Sequence, residues 1–224
     1  MNLLALAGRI AGKDLRVEVR GRHGLTTVLP FAATLLVAFG LAVGPGRGPL
    51  RQAAPALLWI AVLFAAVVSF RQSYRFEGED GALEGLVLAP IDKAAVFLGK
   101  GAAITVQLLA LEVAVILLVG ALFDVSVFAS PAALAGAFVL GTIGLSAIGS
   151  LFGIVAEAAR TREAVFPLLL LPLATPVLLA GIRATELAAA GRGGEAGSWL
   201  GLLAAFDVVF VALGTLVFGT LLED

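Results

Sequence analysis

The chain alternates long apolar runs with short polar breaks. Runs of the length needed to cross a hydrocarbon core of about 30 Å, roughly 20 residues at about 1.5 Å each, occupy residues 25–43, 53–70, 94–123, 131–156, 164–182 and 198–222. They predict six transmembrane helices and an all-α integral membrane bundle. Between the first two runs, Gly44-Pro45-Gly46-Arg47-Gly48-Pro49 breaks helical geometry and forces a tight reversal, so these two spans form a hairpin. Ahead of the first run, Arg9, Lys13, Arg16 and Arg20 recur at spacings of four, three and four, opposite Leu3, Ala7 and Ile10. That pattern predicts a helix over residues 1–22 lying along the inner membrane surface, although a solvated helix carries charges in the same way. No small-residue cleavage site follows a short apolar core, so this segment is expected to be retained.

Composition strengthens the membrane reading. Hydrophobic residues make up 60% of the chain and charged residues 14%, with a mean hydropathy of +1.06, against about 45–50% and about 25% in soluble domains. One soluble core cannot hide so much apolar surface, and residues 1–224 are read as a single membrane domain. The 15 Lys and Arg nearly balance the 16 Asp and Glu, which argues against a basic surface for nucleic acid. Their placement is far from even. Arg9, Lys13, Arg16, Arg20, Arg22, Arg71, Arg75, Lys93, Lys100, Arg160 and Arg162 fall on one side of the predicted spans, and Arg47, Arg51, Arg183 and Arg192 on the other. Because basic residues are retained in the cytoplasm, both termini are expected there, in a multi-pass protein of the cytoplasmic (inner) membrane.

The long cytoplasmic connection, residues 71–93, contains a second helical pattern. Asp80 can cap free backbone N–H groups, Glu79 and Glu84 sit where the helix dipole is positive, and Pro90 disfavours helical geometry at Ala89. Leu83, Leu86 and Val87 then form an apolar ridge about two turns long, flanked by carboxylates. Such a ridge suits a groove on a partner protein. It equally suits packing against the chain's own membrane helices.

Within the apolar runs two carboxylates stand out, Glu112 in the third and Asp207 in the sixth, with Thr105 and Gln107 nearby but not on one clean stripe with Glu112. A charge at the bilayer centre costs about 2.5–3.5 kcal/mol on insertion scales, so each acid should face protein or a wet cavity, as a pathway contact or as a packing group. The fourth run repeats small residues, Gly136, Gly141, Gly144, Gly149 and Gly153 with Thr142, Ser146 and Ser150, which predicts close helix contacts. Pro167, Pro172 and Pro176 predict a kink in the fifth.

Catalytic chemistry is not apparent. No phosphate-binding loop occurs, since Gly99-Lys100-Gly101 lacks its spacing and opens an apolar run. Nucleotide hydrolysis must therefore come from a partner. With no cysteine and His23 as the only histidine, neither a disulfide nor a metal site is expected, and no serine, histidine and carboxylate set suggests a triad. The chain is read as a non-enzyme with no bound cofactor of its own.

The segment Asp80-Gly81-Ala82-Leu83-Glu84-Gly85-Leu86-Val87-Leu88-Ala89-Pro90 resembles the cytoplasmic loop of the CcmB, or haem exporter protein B, family of cytochrome c maturation. The likeness continues through Ile91-Asp92-Lys93, Phe97-Leu98-Gly99-Lys100, Leu140-Gly141-Thr142-Ile143-Gly144, Arg160-Thr161-Arg162-Glu163, Arg183-Ala184-Thr185 and Phe206-Asp207-Val208-Val209-Phe210, which covers essentially the whole chain. Tyr74 and Glu77 stand where that family usually has Phe and Asp, both substitutions that keep the chemistry. The resemblance implies an ABC-2 type permease fold with an N-terminal interfacial helix and a short cytoplasmic coupling helix. It also implies an ATPase partner like CcmA, which carries the ATP, membrane partners like CcmC and CcmD, a haem chaperone like CcmE, and a second copy of this chain. Haem enters as a substrate of the complex, either exported or released with its chaperone. For ATPase coupling it singles out Tyr74, Glu77, Asp80, Gly81, Leu83, Glu84, Leu86 and Val87, with Glu112 and Asp207 as polar candidates in the membrane. Two other readings remain beside it: a permease of another ABC-2 type exporter, and a membrane scaffold of a haem-handling complex that moves nothing.

Overall fold

A computed structural model describes residues 2–21, 23–44, 47–79, 92–123, 128–158 and 162–223. In chain order the helices are α1 (Leu3–Gly21), α2 (His23–Val43), α3 (Arg47–Glu79), α4 (Lys93–Phe123), α5 (Pro131–Ala158), α6 (Arg162–Ala189), a short 3-10 turn (Gly193–Ala196) and α7 (Gly197–Glu223). No strand occurs among the described residues. Among the described residues six helices are long and apolar enough to span a bilayer, over Thr26–Val43, Gly48–Phe70, Lys93–Phe123, Pro131–Gly153, Leu170–Ala189 and Gly193–Thr220. The chain is thus a multi-pass membrane protein whose spans are helical, because a helix satisfies its backbone polar groups internally where no water is available. Hydroxyls in the spans follow the same rule: Thr34, Thr105 and Thr175 donate to the carbonyls of Pro30, Gly101 and Leu171, each four residues earlier.

Two helix ends differ from the hydropathy pattern. α3 passes Arg71 and continues to Glu79, and α6 passes Arg183 and continues to Ala189. Charged residues end an apolar signal without ending a helix, since Arg, Gln and Glu are good helix formers. The first part of segment 71–93 is therefore an extension of α3. α6 also runs as one helical segment through Pro167, Pro172 and Pro176. Gly44 closes the α2–α3 hairpin at φ +79°, and Gly191 follows α6 at φ +73°, conformations that side-chain-bearing residues rarely adopt.

α1 does not span. Arg9, Lys13, Arg16 and Arg20 lie on its exposed side, as the spacing predicts, while Ala7 is buried and Ile10 half-buried. That apolar side rests on α4, where a Cβ on Gly99 would lie 2.7 Å from the Ala7 carbonyl oxygen and 2.8 Å from Ile10 Cβ. One turn further along α1, Asp14 reaches the buried Lys100 Nζ at 3.6 Å.

α5 is the centre of the bundle, touching α3, α4, α6 and α7. Most of its Pro131–Gly153 span is buried, whereas the spans of α2 and α7 are mostly exposed and mark the periphery. The small residues of α5 serve as seats for aromatic rings. Trp59 of α3 fills the space left by two glycines, Gly141 of α5 and Gly181 of α6. Its indole N–H donates to Thr185 Oγ1 at 3.0 Å, and its ring stacks on Phe138 with centroids 5.3 Å apart. Lower on the same helix, Phe70 occupies the space beside Gly149. A third seat joins α4 to α7, where Phe97 lies against Gly214 and tilts onto Phe218.

Candidate functional site

The residues singled out for partner coupling divide at the end of α3. Tyr74 and Glu77 belong to its last turns. Asp80, Gly81, Leu83, Glu84, Leu86 and Val87, with the short helix expected around them, lie outside the described residues. Beyond that segment Asp92 Oδ1 accepts a hydrogen bond from the Ala94 N–H at 2.9 Å and so caps α4. The whole connection is bounded by α3, keyed to α5 by Trp59 and Phe70, and by α4, which carries α1.

Both intramembrane carboxylates are buried, and both face α5. Glu112 of α4 accepts a hydrogen bond from Thr142 Oγ1 at 2.5 Å through Oε1, while its Oε2 has no hydrogen-bond partner among the described residues. Asp207 of α7 approaches the bare backbone of Gly144, where a Cβ would lie 2.8 Å from Oδ1, and neither of its carboxyl oxygens has a described hydrogen-bond partner. Thr142 and Gly144 are two residues apart, about 200° around a helix, so the acids meet opposite sides of α5 and do not form a pair. Thr142, Ser146 and Ser150 are all buried at steps of four. Their stripe faces α4 at two points, the Glu112–Thr142 bond and the contact of Gly101 with Ser150. Among the described residues no group of three His, Cys, Asp or Glu side chains is placed to hold a metal ion.

A cavity of about 1040 Å³ opens at the end of the bundle remote from α1. Arg51, Gln52 and Pro55 of α3 form one wall. Arg183 and Glu186 of α6 form another, held to each other by a 2.7 Å hydrogen bond. Ile116, Leu117, Gly120 and Ala121 of α4, with Phe128 just beyond, make the apolar side. In sequence Arg51 and Arg183 count only toward orientation. Their convergence depends on α3 and α6 packing side by side, which no local pattern announces. The one signal in the sequence is that basic residues are scarce at this end of the spans.

The model of the CcmB protein family matches residues 5–223. The chain is similar to the heme exporter protein B of Paracoccus denitrificans, at 31% identity over 182 residues, 80% of this chain and 82% of that protein. It is similar to heme exporter protein B of Rhodobacter capsulatus at 29% over 210 residues, covering 91% and 92% of the two chains. The protein of the same name from Haemophilus influenzae is 29% identical over 208 residues, 91% of each chain.

Proposed function

Since the chain belongs to the CcmB protein family, we propose that it is the permease subunit of an ATP-driven complex for cytochrome c maturation, exporting haem or freeing its haem-loaded chaperone. The near full-length family match, on a chain with six spanning helices, carries this reading. The chain itself works as a transport subunit and no catalyst. ATP is bound and hydrolysed by a partner ATPase of the CcmA kind, which docks on the cytoplasmic segment through Tyr74, Glu77, Asp80, Gly81, Leu83, Glu84, Leu86 and Val87. Proteins like CcmC, CcmD and the chaperone CcmE complete the assembly, with a second copy of the chain.

The orientation follows from the basic residues: both termini, α1 and the α3–α4 connection are cytoplasmic, in the inner membrane. What favours coupling through this connection is its anchoring. Movement imposed on it passes directly into α3 and α4, whose contacts with α5 include the Trp59 and Phe70 seats and the Glu112–Thr142 bond. A permease needs such continuity, because a partner can shift its conformational equilibrium only through contacts that differ between states.

Leu86→Asp places a charge on the apolar ridge and tests the docking role. The variant should insert normally but lose ATPase co-purification and transport-linked ATP hydrolysis in the reconstituted complex. Wild-type association and hydrolysis would overturn the assignment.

A further inference from the structure

We propose that α1 binds anionic phospholipid, with Arg9, Arg16 and Arg20 on its free face taking the phosphate headgroups of the adjacent leaflet. Its depth along α4 puts the helix beside lipid. The span of α4 begins at Lys93 and has 31 residues, about 46 Å of helix, close to the roughly 40–45 Å of a bilayer with its headgroups. α1 meets it at Gly99, about 9 Å from that end, where the headgroup layer gives way to hydrocarbon. Interfacial helices settle there, with their apolar faces about 5–10 Å into the boundary.

The faces of α1 are sorted by chemistry. Arg9, Lys13, Arg16 and Arg20 are all exposed and share a sector of about 60°. Leu4, Leu15 and Val19 form a second sector of about the same width, between the basic one and the side that rests on α4. Leu4 and Val19 are 76% and 73% exposed. The two acids of the helix are turned away from the basic sector. Asp14 lies between two lysines, 3.1 Å from Lys13 Nζ and 3.6 Å from Lys100 Nζ. Glu18 is half-buried and has interactions of its own within the protein. Lys13 is thus balanced by its neighbour, and the excess positive charge of the free face rests on the three arginines.

Charge and apolar flank together select the partner. A soluble acidic protein would complement the arginines but leave Leu4 and Val19 in water. A phospholipid leaflet offers phosphate to the arginines and acyl chains to the apolar sector beside them. A guanidinium suits phosphate oxygens through its parallel N–H donors. The contact is also passed inward, since Ala7 and Ile10 lie against Gly99 and Asp14 reaches Lys100. Headgroups held on the free face therefore keep α1 seated on α4. This lipid contact stands apart from the cargo and the ATPase proposed above.

The test uses the full chain in neutral detergent, offered phosphatidylglycerol and phosphatidylcholine in equal amounts, with the retained lipids identified by native mass spectrometry. A second readout places the contact: the rate at which proteinase K cuts within α1, in phosphatidylcholine nanodiscs with and without phosphatidylglycerol. Wild type should retain phosphatidylglycerol in preference, and the anionic lipid should slow cleavage of α1 several-fold. Arg9→Gln, Arg16→Gln and Arg20→Gln together keep helix propensity. They should cut the preference by about tenfold or more, at about fivefold for each charge near a surface, and abolish the protection. The same three positions changed to Lys should keep most of both effects. Arg51→Gln, Arg183→Gln and Arg192→Gln, matched in charge at the other end of the bundle, should leave the protection of α1 intact. The proposal is overturned if wild type shows no preference, which would leave the arginines to an acidic protein surface such as Glu77, Glu79, Asp80 and Glu84 of the α3–α4 connection. It is equally overturned if the glutamine variant, eluting like wild type, keeps both effects, if the lysine variant loses as much, or if the matched control loses protection too. Should the triple glutamine variant fail to fold, Arg16→Gln alone decides, with about a fivefold loss expected and an undiminished preference overturning the proposal. Leu86→Asp should bind phosphatidylglycerol like wild type, so failure of the coupling assignment and failure of this contact are read separately.

Discussion

The indole of Trp59 and the glycines beside it should behave as one energetic unit. A methyl added at Gly141 enters the space held by the ring, which is itself closed on its other side by Gly181. The ring cannot retreat freely, because Nε1 is bonded to Thr185 Oγ1 and one face lies on Phe138. Overpacking of a fixed core group costs about 1–3 kcal/mol. At about 2–4 °C per kcal/mol for a chain of this size, Gly141→Ala should lower Tm by about 2–12 °C. Trp59→Leu alone should also destabilise, by opening a cavity and losing the hydrogen bond. In the Trp59→Leu background the obstacle to a Cβ at position 141 is gone. Adding Gly141→Ala there should cost close to nothing, which gives a coupling of about 1–3 kcal/mol in the double-mutant cycle. Unfolding of all four proteins in the same detergent, by SDS titration or by heating, measures it. Additive effects would show that ring and glycine do not share this space and would refute the placement of α3 against α5.

Further substitutions probe the other contacts. Thr142→Val removes the hydroxyl that Glu112 accepts from and should destabilise by about 1 kcal/mol in SDS titration, whereas Glu112→Gln keeps an acceptor and should stay near wild type. If Glu112→Gln also preserves transport, the charge of Glu112 has no part in the mechanism. Gly99→Leu should displace α1 from α4 while leaving the spans inserted, and protease cleavage within residues 3–21 should accelerate; unchanged cleavage would contradict the α1–α4 contact. Gly214→Leu, which would enter the space of the Phe97 ring, should lower Tm by an amount that Phe97→Ala largely removes.

The sequence makes legible what lipid imposes and little of what depends on three-dimensional neighbours. The spans could be read because a backbone in hydrocarbon has few alternatives to a helix of the right length. Helix ends are less legible: Arg71 and Arg183 close the apolar signal, while α3 and α6 continue beyond them into residues that still favour helix. The small-residue pattern of α5 announced close packing, but not that Trp59 would be the intruder or that Gly181, forty positions after Gly141, would complete its seat. Glu112 was visible as an acid out of place, and Thr142 as one step of a polar stripe. Their bond depends on how α4 and α5 align, which neither helix states alone. The coupling residues from Asp80 to Val87 rest on resemblance and on a local capping and apolar pattern, and they lie outside the described part of the fold.

The length of α3 has a mechanical consequence. Its 33 residues make a rod of about 50 Å, carrying Arg51 near one tip and Tyr74 near the other. Trp59, gripped by two neighbouring helices, lies roughly 12 Å along the axis from Arg51 and 22 Å from Tyr74. If Phe70 were to leave its seat beside Gly149, tilting about Trp59 would act as a seesaw with unequal arms. A sideways push of about 2 Å at the long arm would swing the short arm by about 1 Å in the opposite direction.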